Sequence, residues 1–225
     1  MNYPADQDEY ERYPEYLYDE NPFNDVKYLL NKEVIPKTLA VLNYTRAGNQ
    51  TTSMDEYGSW GAYKTYGKDS VLATFTLVEE AEEEWQLEET DILQIQENVT
   101  ENFVKTACMY PDTTFYLFFP PYSICYWEAL YRTKQLDAGI EAQKIGVKLL
   151  LEQENIQVFD FSSRIDITGN LDHYTDTLHY GEWINSQMLQ MMQRGEGRLT
   201  RENYEAYYEE LLTLYEEYDY TLYRK

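Results

Sequence analysis

The sequence predicts a single α/β domain in which helices flank a parallel sheet. Two short apolar runs, Thr114–Phe119 and Ile156–Phe161, have the continuous pattern of strands that are buried on both faces. Two helical patterns lie between these runs, and a strand–helix–strand crossover favours parallel pairing with helices on the faces of the sheet. The chain has 225 residues, which is enough for one domain with a substantial core.

The amino-terminal part predicts an arm followed by a helix. Residues 1–20 are acidic and rich in tyrosine without a clear period, so we interpret them as an extended arm that precedes one domain over residues 21–225. Asn21-Pro22 has the residue types of a helix start, with asparagine as the cap and proline in the first turn. The apolar stripe after it reaches toward Leu42 and is interrupted near Pro36.

A loop, a third strand and a helix are predicted between this region and the first buried strand. Thr45–Lys68 contains four glycines among tyrosines and threonines, which is typical of a long loop. Ser70–Val78 alternates weakly between apolar and polar residues, as a strand does. Asp91–Tyr110 carries apolar residues at helical spacing and ends before Pro111-Asp112, a stop signal.

Four helices and a polar loop complete the predicted order of elements. The two crossover helices are Ser123–Lys134 and Leu136–Gln153. The loop Ser162–Thr177 follows the second buried strand and leads into a helix over Gly181–Gln193. Thr200 is the predicted cap of the last helix.

Composition excludes several classes of function. The chain has 41 acidic and 18 basic residues and a formal net charge of −23, so it repels nucleic acid and anionic membrane surfaces. Its first residues are polar and acidic and it has no apolar run of membrane-spanning length, so we expect a soluble chain without a signal peptide. The two cysteines indicate buried thiols rather than a disulfide framework, and we expect no cofactor.

A candidate catalytic pair lies in the loop after the second buried strand. The only two histidines of the chain, His173 and His179, lie in the loop segment Gly169–Tyr180 before the next helix, at the sheet edge where sites form in open parallel sheets. Asp176 precedes His179 by three residues, a spacing at which a carboxylate can orient an imidazole. The imidazole would then serve as a general base toward a hydroxyl nucleophile.

Several segments together resemble the SGNH (GDSL-type) hydrolase superfamily, in particular SGNH-like proteins of Gram-positive anaerobes. These segments cover most of the chain and are Tyr13-Pro-Glu-Tyr-Leu-Tyr-Asp, Asn21-Pro-Phe-Asn-Asp-Val-Lys-Tyr-Leu-Leu-Asn, Phe118-Phe-Pro-Pro-Tyr-Ser and Asp176-Thr-Leu-His-Tyr. The resemblance implies a three-layer, flavodoxin-like sheet and an esterase or acyltransferase that acts on, or binds, an acylated cell-envelope glycan. It also implies an extracellular or cell-surface location, with His179 as the base and Asp176 as its orienting carboxylate.

The nucleophile of that superfamily has no counterpart in the sequence. The family's serine lies in a Gly-x-Ser block after the first strand, and no such block precedes Ser53. Ser53 itself lacks a preceding glycine and the strand–turn–helix context that exposes a nucleophilic hydroxyl. We therefore expect this chain alone to have little or no esterase activity.

Four further residues are candidates for contact with the substrate. Ser123 and Tyr122 follow the first buried strand, and Ser123 is interpreted either as a helix cap or as a wall of the site. His173 shares the loop of the catalytic pair, where an ordinary loop hydrogen bond is the alternative. Trp60 is a candidate for stacking on a sugar ring, with ordinary loop packing as the alternative.

Two other classes of function stay open. A non-catalytic binding or assembly module would keep the cleft without the nucleophile. An acidic metal-binding module would use His173, His179, Asp172 and Asp176, although no metal site is assigned. Because few strands are identified for a sheet of this family, we also expect a homodimer or another partner to cover an exposed sheet edge.

Overall fold

The computed structural model of the chain describes residues 20, 21, 23–26, 30, 32, 34–48 and 64–224. The predicted arm, apart from Glu20, and the candidates Ser53 and Trp60 therefore lie outside the described residues. Two compact units are present, with the boundary after Ser53. In the first unit, a helix α1 runs over Val34–Arg46, so that Pro36 lies in its first turn, where the missing N–H group costs no helical bond.

The second unit contains the remaining helices and all strands of the described residues. In chain order they are α2 (Lys68–Thr74), α3 (Glu89–Val99), a π-helical turn (Thr100–Val104), α4 (Lys105–Met109), β1 (Phe115–Phe119), α5 (Ile124–Arg132), α6 (Leu136–Leu150), β2 (Ile156–Asp160), α7 (Ile165–Thr168), a 3₁₀ turn (Leu171–His173), α8 (Glu182–Gln193), β3 (Arg198–Leu199), α9 (Tyr204–Glu216) and a 3₁₀ turn (Leu222–Arg224).

The three strands form one mixed sheet in the order β1–β2–β3. β1 pairs with β2 in parallel, with Phe115 opposite Ile156 and Phe119 opposite Asp160. This pairing confirms the crossover that the sequence predicts. β3 pairs with β2 in the antiparallel direction, so the prediction of a wholly parallel sheet is wrong.

Alternate residues of β2 face two separate groups of core side chains. Ile156 and Val158 belong to the larger cluster, which includes residues of α5, α6 and α9. Phe159 and the following Phe161 belong to a smaller cluster with Met188 and other residues of α8. Helices therefore pack on both faces of β2, as its apolar pattern predicts.

The outer face of β1 corrects a second expectation. Tyr116 and Phe118 are 55% and 43% exposed, so β1 is not covered on both faces within the described residues. The ring of Tyr116 stacks at 6.3 Å on Phe159 of the neighbouring strand and forms part of an open apolar surface. The homodimer or other partner expected to cover an exposed sheet edge stays a prediction.

Three local predictions differ from the structure. Ser70–Val78 is not a strand, because residues 68–74 form α2, whose Val71 is fully buried, and residues 75–78 are extended but unpaired. The last helix begins at Tyr204 rather than directly after Thr200, and Asn203 occupies its cap position. Cys125 is buried as predicted, whereas Cys108 is exposed.

Candidate functional site

The loop that carries the Asp–His pair is held in shape by its own backbone. Tyr174 and Tyr180 form an isolated antiparallel bridge, which closes the loop at its base. The backbone N–H of Thr175 donates to the carbonyl of His179 at 2.9 Å, and that of Gly181 donates to the carbonyl of His173 at 2.8 Å. The segment between the two tyrosines is therefore a narrow, ordered turn.

Asp176 accepts three donors from this turn. Its Oδ1 accepts the backbone N–H groups of Leu178 and His179, each at 2.9 Å. The imidazole Nδ1 of His179 lies 2.8 Å from Oδ2 and 3.0 Å from Oδ1. The predicted contact between the two side chains is present, and one carboxylate both closes the turn and orients the imidazole.

The carboxylate is ionised at neutral pH and the imidazole is accessible. Burial alone would raise the pKa of Asp176, but the N–H groups of His179 and Leu178 and the imidazole together hold it below its ordinary value of 3.8. The side chain of His179 is 55% exposed. The pair can therefore stabilise an imidazolium while the ring stays in reach of a substrate.

Contacts from other elements fix the loop beside the carboxyl end of β1. The hydroxyl of Tyr174 donates to the carbonyl of Pro121 at 2.6 Å, and Pro121 follows β1. The hydroxyl of Ser70 in α2 donates to the carbonyl of Thr175 at 3.2 Å. The backbone N–H of Gly67 donates to the carbonyl of Tyr174 at 2.9 Å. The site therefore lies at the sheet edge that the sequence predicts.

Ser123 contacts the loop rather than capping a helix with its side chain. It occupies the cap position of α5, but its hydroxyl makes no capping bond. The hydroxyl instead donates to the carbonyl of Thr177 at 2.6 Å, and the residue is fully buried. Of the two interpretations of Ser123, this geometry favours a wall of the site.

Tyr122 precedes Ser123 in the chain and contacts the helix that Ser123 begins. Its ring packs against Tyr126 with the centroids 4.8 Å apart. Burial, and then the proximity of Tyr122, raises the pKa of Tyr180 to about 12. The structure thus brings Tyr122 close to Tyr180, the residue that follows His179.

His173 contacts Asn170 and Trp183 rather than Asp176 in the hydrogen bonds of the described residues. The amide Nδ2 of Asn170 is 3.2 Å from its Nε2, and the indole Nε1 of Trp183 is 3.4 Å from its Nδ1. Burial lowers the pKa of His173 below 6.5, and the charges of Asp172 and Asp166 oppose this shift only in part. A neutral ring suits these surroundings, because its unprotonated Nδ1 accepts from the indole N–H of Trp183, which an imidazolium cannot do.

Two aromatic residues that are not among the sequence-based candidates contact each other next to the site loop, where the indole of Trp183 bonds to His173. Tyr66 and Trp183 meet edge to face with their ring centroids 4.9 Å apart. Burial raises the pKa of Tyr66, and the charges of Glu182 and Asp176 raise it further. Trp183 has a recognisable signal: it follows the Asp-x-x-His block by four residues and lies off the apolar stripe of α8, which is Ile184, Met188 and Met191.

The metal-binding alternative finds no geometric support. A metal site requires at least three His, Cys, Asp or Glu side chains close together. The described residues contain no such group. The four residues that this alternative named are divided instead. His179 pairs with Asp176, whereas His173 contacts Asn170 and Trp183 and Asp172 accepts the backbone N–H of Lys68.

We predict that acid releases Trp183 from His173. The neutral ring should persist below pH 6.5 because its pKa is lowered, and the indole contact should be lost as pH falls through that lowered value. Since the histidine of the unfolded chain protonates first, the free energy of unfolding should fall as the pH drops from 6.5 to the lowered pKa of the folded state. The measurement is tryptophan emission over a range of roughly pH 7.5 to 4.5, which brackets the ordinary pKa of histidine. An equal change in His173→Gln would contradict this assignment.

No helix of the described residues is both long and apolar enough to cross a membrane. Comparison with known proteins gives no match to a family model, to a curated protein or to a solved structure.

Proposed function

We propose that this chain forms the Asp–His half of an SGNH-type esterase or acyl-transfer site that acts on an acylated cell-envelope glycan. The observation that carries the proposal is the contact of His179 Nδ1 with the Asp176 carboxylate at 2.8 Å. A carboxylate in this position selects the tautomer with hydrogen on Nδ1, which makes Nε2 the basic nitrogen. That nitrogen would accept the proton of an attacking hydroxyl and return it to the leaving group.

The proposed fold is a three-layer, SGNH-like sheet. The parallel pairing of β1 with β2 and the position of the loop after β2 support this assignment. Side-chain clusters on both faces of β2 support it as well. The short antiparallel β3 is an addition that the family pattern does not require.

The serine hydroxyls that bond to this loop donate to backbone carbonyls and not to His179. Ser123 donates to the carbonyl of Thr177 and Ser70 to that of Thr175. A triad nucleophile donates its proton to the histidine, so neither of these serines has the required geometry. This observation supports slow catalysis without a covalent intermediate, and it also favours the second candidate, a glycan-binding module that has no catalytic role.

We predict slow, burst-free hydrolysis of an aryl acetate and of an acetylated chito-oligosaccharide. The pair can activate water, but the covalent route is closed, so the rate should stay about 10³-fold or more below that of a complete triad. His179→Ala should remove what remains, and Asp176→Asn should lower it because the imidazole loses its tautomer selection. The measurement is initial rate and pre-steady-state amplitude for each variant.

Two outcomes would change the proposal. A rapid burst that His179→Ala abolishes would show that a nucleophile acts on this pair. Rates equal to buffer in the wild type and both variants would overturn the catalytic proposal and leave the binding module. Leu189→Ala is the control, since this exposed residue of α8 lines the surface that contains Tyr116 and Phe159 rather than the loop.

A further inference from the structure

The indole of Trp183 is an exposed aromatic surface at the start of the helix that follows the Asp176–His179 loop. Trp183 lies in the first turn of α8 and is 40% exposed. Its ring is bordered by Tyr66, edge to face at 4.9 Å. A large aromatic side chain that stays exposed while its neighbours hold it in place is a typical ligand contact.

We propose that Trp183 and Tyr66 form a subsite that binds a neutral or amino sugar ring next to the Asp176–His179 pair. The inference rests on the proposed function, since the pair would act on an ester carried by the same glycan. The inference goes further than the proposed function in two respects: it names the residues that bind the sugar, and it states which charge the sugar can carry.

The chemistry of the surface favours a sugar ring. The face of an indole carries negative charge density, and the C–H groups on one face of a pyranose are apolar and slightly positive, so the two surfaces stack. The carboxylates of Glu182 and Asp176 are close enough to Tyr66 to raise its pKa. Carboxylates accept hydrogen bonds from sugar hydroxyls, attract an amino group and repel a uronic acid.

Two independent features hold the indole in this position. The chain approaches the ring at Gly181, where an added Cβ would lie 2.2 Å from Cη2 and Cζ3 of Trp183. On its other edge, the indole N–H reaches Nδ1 of His173, whose Nε2 faces Asn170. Any side chain at position 181 would therefore displace the indole, because the ring end is the part that can shift.

The experiment measures binding of three trisaccharides by calorimetry and tryptophan emission. The probes are chitotriose, its fully deacetylated form and trigalacturonate. We expect chitotriose and the deacetylated trisaccharide to bind and to change the emission, and the anionic trisaccharide not to bind. Failure of both uncharged and cationic probes to bind the wild type would overturn the proposal.

Four variants assign the binding to the subsite. Trp183→Ala should weaken binding about tenfold or more, which is the effect of losing a central aromatic contact, and Trp183→Phe should restore part of it. Gly181→Ala should weaken binding as well, although Trp183 is still present. Trp85→Ala is the matched control, because Trp85 is 45% exposed and precedes α3 rather than lining the loop. Equal affinities in Trp85→Ala and Trp183→Ala would overturn the assignment.

The failure of this inference is distinguishable from failure of the proposed function. If His179→Ala has no effect on ester hydrolysis but Trp183→Ala abolishes sugar binding, the subsite stands and the catalytic proposal fails. If hydrolysis depends on His179 but Trp183→Ala leaves the affinity for every trisaccharide unchanged, the catalytic proposal stands and the subsite fails.

Discussion

Replacing Tyr215 with alanine should lower the free energy of unfolding by about 4 kcal/mol, within the range for removing a buried aromatic ring. Tyr215 is fully buried, and its ring lies flat on Trp127, with the centroids 4.1 Å apart and an interplanar angle of 7°. Its hydroxyl donates to the carbonyl of Ser162 at 2.5 Å. The substitution therefore opens a cavity beside Trp127 and leaves a buried carbonyl without its donor.

Tyr215→Phe separates these two contributions. It keeps the ring stack and removes only the hydroxyl, so the loss should be about 1–3 kcal/mol, the cost of an unsatisfied buried acceptor. Urea unfolding followed by circular dichroism measures both variants. A loss below about 1.5 kcal/mol for Tyr215→Ala would show that the neighbouring side chains close the cavity.

The elements that the sequence predicts correctly are those with a local signal. Continuous apolar runs mark β1 and β2 as strands, although within the described residues only β2 is covered on both faces, as such a run predicts. The period of the apolar residues marks α6 and α8 in the same way. The Asp176–His179 contact is also local, since both residues lie in one turn that Asp176 closes by accepting two backbone N–H groups.

The features that the sequence does not predict depend on contacts between distant segments. β3 has two residues, too few for a recognisable pattern, and only its pairing with β2 makes it a strand. Ser70–Val78 alternates weakly like a strand, but its first five residues belong to the helix Lys68–Thr74, where Gly67 and Ser70 bond to the site loop about a hundred residues further along the chain. Tertiary contacts here override a weak local preference.

The same limit applies to the candidate site. Ser123 has the sequence context of a helix cap, yet its hydroxyl bonds to Thr177, 54 residues away. Trp183 can be noticed in the sequence because it lies off the apolar stripe of α8, but its partners His173 and Tyr66 are known only from the structure. Spacing along the chain can identify a pair within one turn, but it cannot identify the side chains that surround the pair.

Tyr174 connects the core to the site, so its truncation should have a large effect on both. Tyr174 is fully buried, its hydroxyl donates to the carbonyl of Pro121 at 2.6 Å, and its ring meets Tyr180 edge to face at 6.3 Å. Tyr174→Ala should lower the free energy of unfolding by about 3–5 kcal/mol. Tyr174→Phe should cost about 1–3 kcal/mol, since only the hydrogen bond is lost.

The loop should loosen before the rest of the domain unfolds. The amides of Thr175 and Gly181 report this change, because they donate to carbonyls across the base of the loop. We expect both amides to exchange faster with solvent in Tyr174→Ala, while amides of β2 keep their protection in proportion to the global stability that is left. If Thr175 and Gly181 exchange no faster than β2 does, the Asp176 turn and the Ser123 contact hold the loop without the tyrosine. Faster exchange confined to the loop would instead show that the position of His179 depends on a ring buried five residues before it.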